Sequence, residues 1–270
     1  MTRRRFLVGT GALAGALGLE GLVLEPRRLA VSRHQIGAAP DAAGVPLRVS
    51  VLTDLHLRRV GRLERAVAAA VSSFPADLVL LVGDAIDKAD ALPLLGEFLG
   101  TLPPETPKYA TLGNWEHWSR VGIDALAATY DRHGGRLLVN ESAQVAHRGR
   151  VAVLVGVDDM VGGSPDLERA VAGHEEAPNV LLLSHCPAYR DVITSSAEKI
   201  CAMVSGHTHG GQIAFGPWAL FRPPGSGRYV SGWYREAPPD LYVSRGIGTS
   251  VLPVRLGSVP EVVHLEWYLS

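Results

Sequence analysis

Five times in this chain a short apolar run breaks off into a side chain able to hold a metal. Leu47–Thr53 ends at Asp54, with His56 two residues on, and Asp77–Val82 ends at Gly83-Asp84, with Asp87 following. Lys108–Leu112 ends at Gly113-Asn114, Val180–Ser184 at His185, and Ile200–Ser205 at Gly206-His207, with His209 beyond. Runs of this length, rich in Val, Leu and Ile and bounded by turn residues, predict buried strands. Each polar group therefore sits just past a strand's carboxyl end. In open α/β sheets that edge is where ligands bind, because the loops there converge. A lone Gly-Asp or His-x-His is common; five in order, each behind a strand, are not explained by chance.

Between these strands the pattern predicts helices at Arg62–Ser73, at Asp90–Leu99 in spite of Pro93, and at Gly122–His133, stopped by Gly134-Gly135. The second half is denser in strands: Arg136–Asn140, Ser142–Ala146 and Val151–Val157, then Leu241–Ser244 and Val262–Trp267. Alternating β and α followed by β-rich segments predicts an α/β fold of two mixed β-sheets packed as a sandwich with flanking helices. Its 270 residues bury a sizeable core, and 47% hydrophobic with 20% charged residues excludes a disordered or fibrous chain. No repeat or long linker divides residues 26–270, which read as one domain. Two cysteines, Cys186 and Cys201, exclude a disulfide scaffold. They read as two buried thiols, with a single bridge as the other reading.

Residues 1–25 read as an address. Arg3-Arg4-Arg5 with Phe6 and Leu7 precede a Gly- and Ala-rich apolar run to Leu24, the layout of an export signal. The paired arginines resemble a twin-arginine signal, read by the machinery that carries folded proteins across the membrane. No Ala-x-Ala cleavage site stands before Pro26, so the segment is read either as a cleaved signal or as a retained N-terminal anchor. The expected location is the periplasm or the outer face of the cytoplasmic membrane. Without the first 25 residues the chain carries 23 basic and 25 acidic residues. A near-neutral domain has no general pull on polyanions, so nucleic acid is not an expected partner.

Asp54, His56, Asp84, Asn114, His185, His207 and His209 make seven oxygen and nitrogen donors without a thiolate. That set suits hard or borderline divalent ions such as Mn, Fe or Zn. The motifs Asp54-Leu55-His56, Gly83-Asp84-Ala85-Ile86-Asp87, Gly113-Asn114-Trp115-Glu116, Ser184-His185 and Gly206-His207-Thr208-His209 resemble the signature of the calcineurin-like metallophosphoesterase superfamily. The resemblance runs from Leu47 to Trp267. It implies that Asp54, His56 and His209 hold one metal, that Asn114, His185 and His207 hold the second, and that Asp84 bridges them. The implied reaction is in-line attack on phosphorus by a metal-bridging hydroxide. The segments Gly206–Gln212, Gly156–Asp159 and Ser244–Ser250, with Pro260-Glu261, are similar to exported bacterial phosphodiesterases that often carry twin-arginine signals.

One position departs. The family's proton donor, a His after the Asn and paired with the second Asp of the Gly-Asp motif, is here Trp115, although Asp87 is present. An indole cannot donate a proton near neutral pH. Either His117 takes the acid role with Asp87, or no side-chain acid exists and leaving groups that need protonation are cleaved slowly; general acid catalysis is worth about 10²–10⁴-fold. Asn114, Gln212 and Trp115 are the residues expected to touch substrate; Trp115 and Trp118 flank the site either as an apolar lip for a lipid or nucleoside group or as loop-covering core tryptophans. Arg245 faces either a substrate anion or Glu261. Asp158 and Asp159 read as structural carboxylates, and His34, His133, His147, His174 and His264 carry no assigned chemistry.

The function expected is hydrolysis of a phosphoester, a diester before a monoester, with a small-molecule, lipid or cell-wall substrate and possible association with the membrane. The alternative from another class is a catalytically weak member acting as a binding or scaffold protein. Such a chain is expected to lose metal donors, and this one keeps all seven. A metallo-β-lactamase-like hydrolase would need a His-x-His-x-Asp-His run, which does not occur.

Overall fold

The computed structural model describes residues 15–38, 44–193, 197–216 and 218–270. Fourteen strands run in chain order: β1 Ala30–Ile36, β2 Leu47–Leu52, β3 Leu78–Val82, β4 Lys108–Thr111, β5 Gly135–Leu137, β6 Glu141–His147, β7 Arg150–Gly156, β8 Val180–Leu183, β9 Ala202–Ser205, β10 Ala214–Phe215, β11 Trp218–Ala219, β12 Gly232–Tyr234, β13 Asp240–Val243 and β14 Glu261–Trp267. Two six-stranded sheets result, ordered β1-β14-β2-β3-β4-β5 and β12-β13-β9-β8-β7-β6, with β10-β11 a separate hairpin. Both sheets are mixed. β2 to β5 are parallel, as are β7, β8, β9 and β13, while β14, β6 and β12 run antiparallel to a neighbour.

The period-two rule shows how the layers assemble. In β3, Leu78, Leu80 and Val82 meet Leu181 and Leu183 of β8 in the core between the sheets. Val79 and Leu81 point the other way, onto the helices α1 Arg62–Ser73, α2 Leu92–Leu99 and α4 Ile123–Asp131. In β8, Val180 and Leu182 face outward onto α5 Leu167–Val171 and the turn at Tyr189. The short helix α3, Asn114–Trp118, lies at the site itself. Two mixed sheets sandwiched between helices is the architecture expected from the sequence. Burying both faces of β3 and β8 explains why these strands read as unbroken apolar runs.

Three differences have local causes. Helix α2 begins at Leu92, after a 3-10 turn at Ala89–Ala91, because Pro93 sits in the first turn, where its missing N–H costs nothing. The strand expected at Arg136–Asn140 is only Gly135–Leu137. Strand β1 had no counterpart in the sequence reading. It is an edge strand with alternating exposure, pairing in parallel with β14.

The Arg3–Arg5 cluster lies outside the described residues. Residues 15–25, the later part of the stretch read from the sequence as an address, do not stand off from the domain. Glu25 is buried, and its carboxylate accepts the N–H groups of Gly257 (2.9 Å) and Ser258. Arg255 N–H donates to Gly21 O at 2.9 Å. The cysteines are unbridged; Cys186 is buried and donates to Asp159 at 3.1 Å.

Candidate metal centre

Strands β2, β3 and β4 are neighbours in one sheet and β8 and β9 in the other, so their carboxyl ends open side by side. Asp54 and His56 leave β2, Asp84 leaves β3, Asn114 leaves β4, His185 leaves β8, and His207 and His209 leave β9. All seven are buried. Donor atoms of Asp54, His56 and His209 lie within 4.8 Å of one another, and so do those of Asp84, His185 and His207. The first is the set that the resemblance implied for one metal; in the second, Asp84 stands with His185 and His207, the two histidines that the resemblance grouped with Asn114. Asp84 faces both: its Oδ2 is 3.1 Å from His185 Nε2 and 3.6 Å from His56 Nε2. His56 Nε2 and His209 Nε2 are 3.0 Å apart.

The backbone is bent to bring them there. Asp54, His56, Asp84, His207 and His209 all have φ between 44° and 71°, the left-handed region that residues with a Cβ seldom occupy. Such strain persists only where the surroundings over-determine it, and it concentrates at functional sites. Part of the restraint is Glu116. Its buried carboxylate accepts N–H groups of Asp84 (3.0 Å), Ala85 (2.7 Å), Ile86 (3.2 Å) and Gly113 (2.8 Å), fastening the β3 and β4 loops together. Burial, and then the nearby Asp84 charge, push its pKa up to about 7. On the other side Ile247 N donates to Thr53 O and Gly248 N to Asp54 O, at 3.1 and 2.7 Å. This packing is the role of the Ser244–Ser250 segment.

The outer ring nitrogens of three histidines are already engaged. His56 donates through Nδ1 to Asp87, His185 through Nδ1 to Val82 O (3.0 Å), and His207 through Nε2 to Pro224 O (2.7 Å). Each bond fixes its ring and turns the other nitrogen into the site, the arrangement a metal ligand requires. His209 turns Nε2 inward while Arg255 lies 3.2 Å from its Nδ1. Burial, then His56 and Arg255, hold the His209 pKa well below the usual range. Burial works against charge on Asp84, but His185 and then His56 hold its carboxyl below the ordinary carboxylate range. Asp54 Oδ2 and Asn114 Oδ1 are buried without a hydrogen-bond partner. Buried oxygens without partners are costly, and a cation satisfies them. The donor set fits a pair of divalent ions.

Residues 47–211, well over half of the chain, match the calcineurin-like phosphoesterase family. The chain belongs to that family. Among calcineurin-like phosphoesterases it is similar to phosphodiesterase YaeI of Escherichia coli (strain K12), 30% identical over 278 residues, covering 98% of this chain and 99% of the relative. It is also similar to metallophosphoesterase YkuE of Bacillus subtilis (strain 168), 28% identical, covering 97% of this chain and 96% of the relative. The NAD nucleotidase of Haemophilus influenzae shares the fold, with a TM-score of 0.51 at 14% identity over 76% of this chain and 51% of that one. This phosphoesterase chain thus spans about half of that structure.

Other expected site residues separate. His117 and Asp87 are not brought together: His117 Nε2 bonds Asp158 at 2.7 Å, while Asp87 is engaged by His56 and by Arg58 at 3.3 Å. Asp158 also accepts from Ser164 N at 2.9 Å, so His117 is tied into a loop brace. Gln212 is not free for a phosphoryl oxygen. Its amide donates to Ser250 O and Leu252 O and accepts from Ser250 N, each at 3.1 Å. Arg245 pairs with Glu261 at 3.2 Å. Trp115 does stand over the site, edge-on to His56 at 5.9 Å and beside Trp118 at 5.5 Å. Sequence reasoning missed Glu116, Arg255 and Glu25. Of these only Glu116 carried a signal, as the acidic residue two places after Asn114 at a strand-to-helix junction.

Proposed function

We propose that the chain is a dinuclear metal-dependent phosphodiesterase. Asp54, His56 and His209 would hold one divalent ion, Asn114, His185 and His207 the other, with Asp84 between them. The observation that carries this reading is the pairing of two buried donor groups with two oxygens, Asp54 Oδ2 and Asn114 Oδ1, that have no partner in the protein. When bound, a pair of Mn, Fe or Zn ions supplies a water nucleophile at neutral pH and positive charge for the phosphoryl oxygens.

The protein's own groups position and exclude. Asp87, Val82 O and Pro224 O hold the imidazole rings with their second nitrogens inward, and Glu116 keeps the Asp84 and Asn114 loops in register. Trp115 covers the His56 side against solvent. With His117 bonded to Asp158 and Trp115 in the acid's place, diesters with alkoxide leaving groups are cleaved slowly beside aryl diesters. The relative named a phosphodiesterase supports the diester preference. Export by the twin-arginine route, with residues 1–25 as signal or anchor, belongs to the same proposal. It rests on Arg3–Arg5 and the apolar run behind them.

The test is turnover of bis-(p-nitrophenyl) phosphate against the monoester, with metal content measured on the same protein. About two metals per chain with faster diester cleavage is the result expected. Failure to cleave either ester under Mn, Fe or Zn loading overturns it.

A further inference from the structure

We propose that the substrate is a lipid phosphoester engaged at a bilayer surface, its phosphoryl group at the candidate metal centre and its hydrocarbon in the cavity above; this rests on the phosphoesterase reading. The cavity has a volume of 460 Å³, within the range of about 300–1,000 Å³ typical of small-molecule sites. Asp84, Asn114, His207 and His209 lie at its base, so whatever fills it is joined to the donor groups. Its walls are Trp115, Trp118, Leu220, Phe221, Val251 and Leu252. Among the described residues no Lys or Arg lines it, and the Gln212 amide at its edge is spent on the 250–252 loop. A sugar or nucleobase brings hydroxyls and amides that such walls leave unpaired, which weakens binding. Hydrocarbon brings none. Phosphate at one end and apolar wall at the other describe an amphipathic ester.

The rim is apolar on its outside as well. Trp218 is 78% exposed, Val251 77% and Leu220 73%, with Phe215, Phe221 and Leu252 also more than half exposed. A soluble monomer seldom shows so many large apolar side chains together. Backbone bonds join these loops: Ala214 N donates to Leu256 O at 2.7 Å, Leu256 N to Gln212 O at 2.9 Å, and Leu220 N to Ile213 O at 2.9 Å.

The segment ahead of β1 docks on that same 250–256 loop. Residues 15–24 are helical, and the face turned to the protein is Gly21, whose backbone accepts from Arg255 N. A Cβ at Gly21 would come within 3.2 Å of Val254. Leu17, Leu19, Leu22, Val23 and Leu24 face outward. A helix with glycine inside and leucines outside reverses the pattern of a soluble surface helix and suits the headgroup–acyl boundary. Among the described residues no helix is long and apolar enough to cross a membrane. Cavity rim, hairpin and helix therefore share one loop.

The experiment uses the full chain loaded with Mn. Glycerophosphoethanolamine and its dibutyroyl and dihexanoyl esters, below their aggregation concentrations, are compared with bis-(p-nitrophenyl) phosphate. kcat/KM should rise about tenfold or more from the deacylated to the dihexanoyl diester, as a few methylenes enter the cavity. In parallel, flotation with vesicles of phosphatidylethanolamine and phosphatidylglycerol is compared for the wild type and the Phe215→Ser/Trp218→Ser variant, neither residue lining the cavity. The wild type should float and the variant should not, with bis-(p-nitrophenyl) phosphate turnover unchanged. A flat kcat/KM across the series, or a wild type that stays in the aqueous phase, overturns the lipid proposal while leaving the phosphoesterase reading intact. Flotation with no ester cleaved leaves the lipid surface standing and sinks the phosphoesterase reading instead.

Discussion

Asp84 Oδ2 stands closest to both donor groups, 3.1 Å from His185 and 3.6 Å from His56, whereas Asp54 Oδ1 lies 3.6 Å from His209 and reaches His185 only at 4.0 Å. Asp84→Ala should therefore lower bound metal from about two ions per chain to one or fewer, because the carboxylate that would be shared by the proposed pair is lost. Elemental analysis after dialysis against Mn reads this directly; retention of two ions would remove Asp84 from the bridging position. His117 makes the opposite prediction. Its bond to Asp158 braces the loop that Ser164 also joins, so His117→Ala should lower the unfolding midpoint. Turnover of glycerophosphoethanolamine, whose alkoxide leaving group needs a proton, should change less than about threefold, well short of the 10²–10⁴-fold cost of losing a general acid. A loss on that larger scale, confined to diesters with poor leaving groups, would restore His117 as the proton donor.

Short glycine-led turns connect the strands to their donors, and three leave no room for a side chain. A Cβ on Gly83 would sit 2.3 Å from His185 Nδ1, on Gly113 2.3 Å from Asp84 Oδ1, and on Gly206 2.2 Å from Asp54 Oδ2. Gly83 adds a φ of 73°. Gly113→Ala should thus abolish metal uptake while far-UV circular dichroism keeps its native shape; normal uptake would mean that the β4 turn can relax. Strand β14 offers a pH test away from the site. His264 is buried between Phe74, stacked at 4.1 Å, and Ser50, at 3.0 Å. Burial, and then Arg33, push its pKa down to about 4. The unfolded chain binds that proton near pH 6.5, so it holds more protons than the folded chain between pH 6.5 and about 4. Stability should fall as pH drops through that window, and more shallowly in His264→Gln; equal slopes in urea titrations would refute the assignment. Much at this scale was legible in the sequence. Runs such as Leu78–Val82 are apolar on both faces because both are covered, and the donors follow them directly. β1 was not legible, because an edge strand reading Ala-Val-Ser-Arg-His-Gln-Ile buries little and resembles a polar linker. Nor was Gln212 as a loop brace or Arg255 beside His209, since those contacts join residues 38 to 46 positions apart.

At the scale of the molecule, Glu25 ties the opening segment to the last tenth of the chain. Its carboxylate satisfies two backbone donors at Gly257 and Ser258, and hydrogen bonds to a charged group contribute about 1.5–3 kcal/mol. Glu25→Ala should cost stability on that order and expose residues 15–28 to protease, with the cut mapped by mass spectrometry; unaltered cleavage would mean that the segment is held elsewhere. The same tie sets an order of events in synthesis. Strand β14 lies between β1 and β2, although residues 261–267 leave the ribosome some 210 residues after β2. Until then β1 has no neighbour to zip onto, and Glu25 has no Gly257 or Ser258 to grip. Residues 15–36 are thus made early and seated late: they stay open to other partners while translation continues and pack only once the last strand has been made.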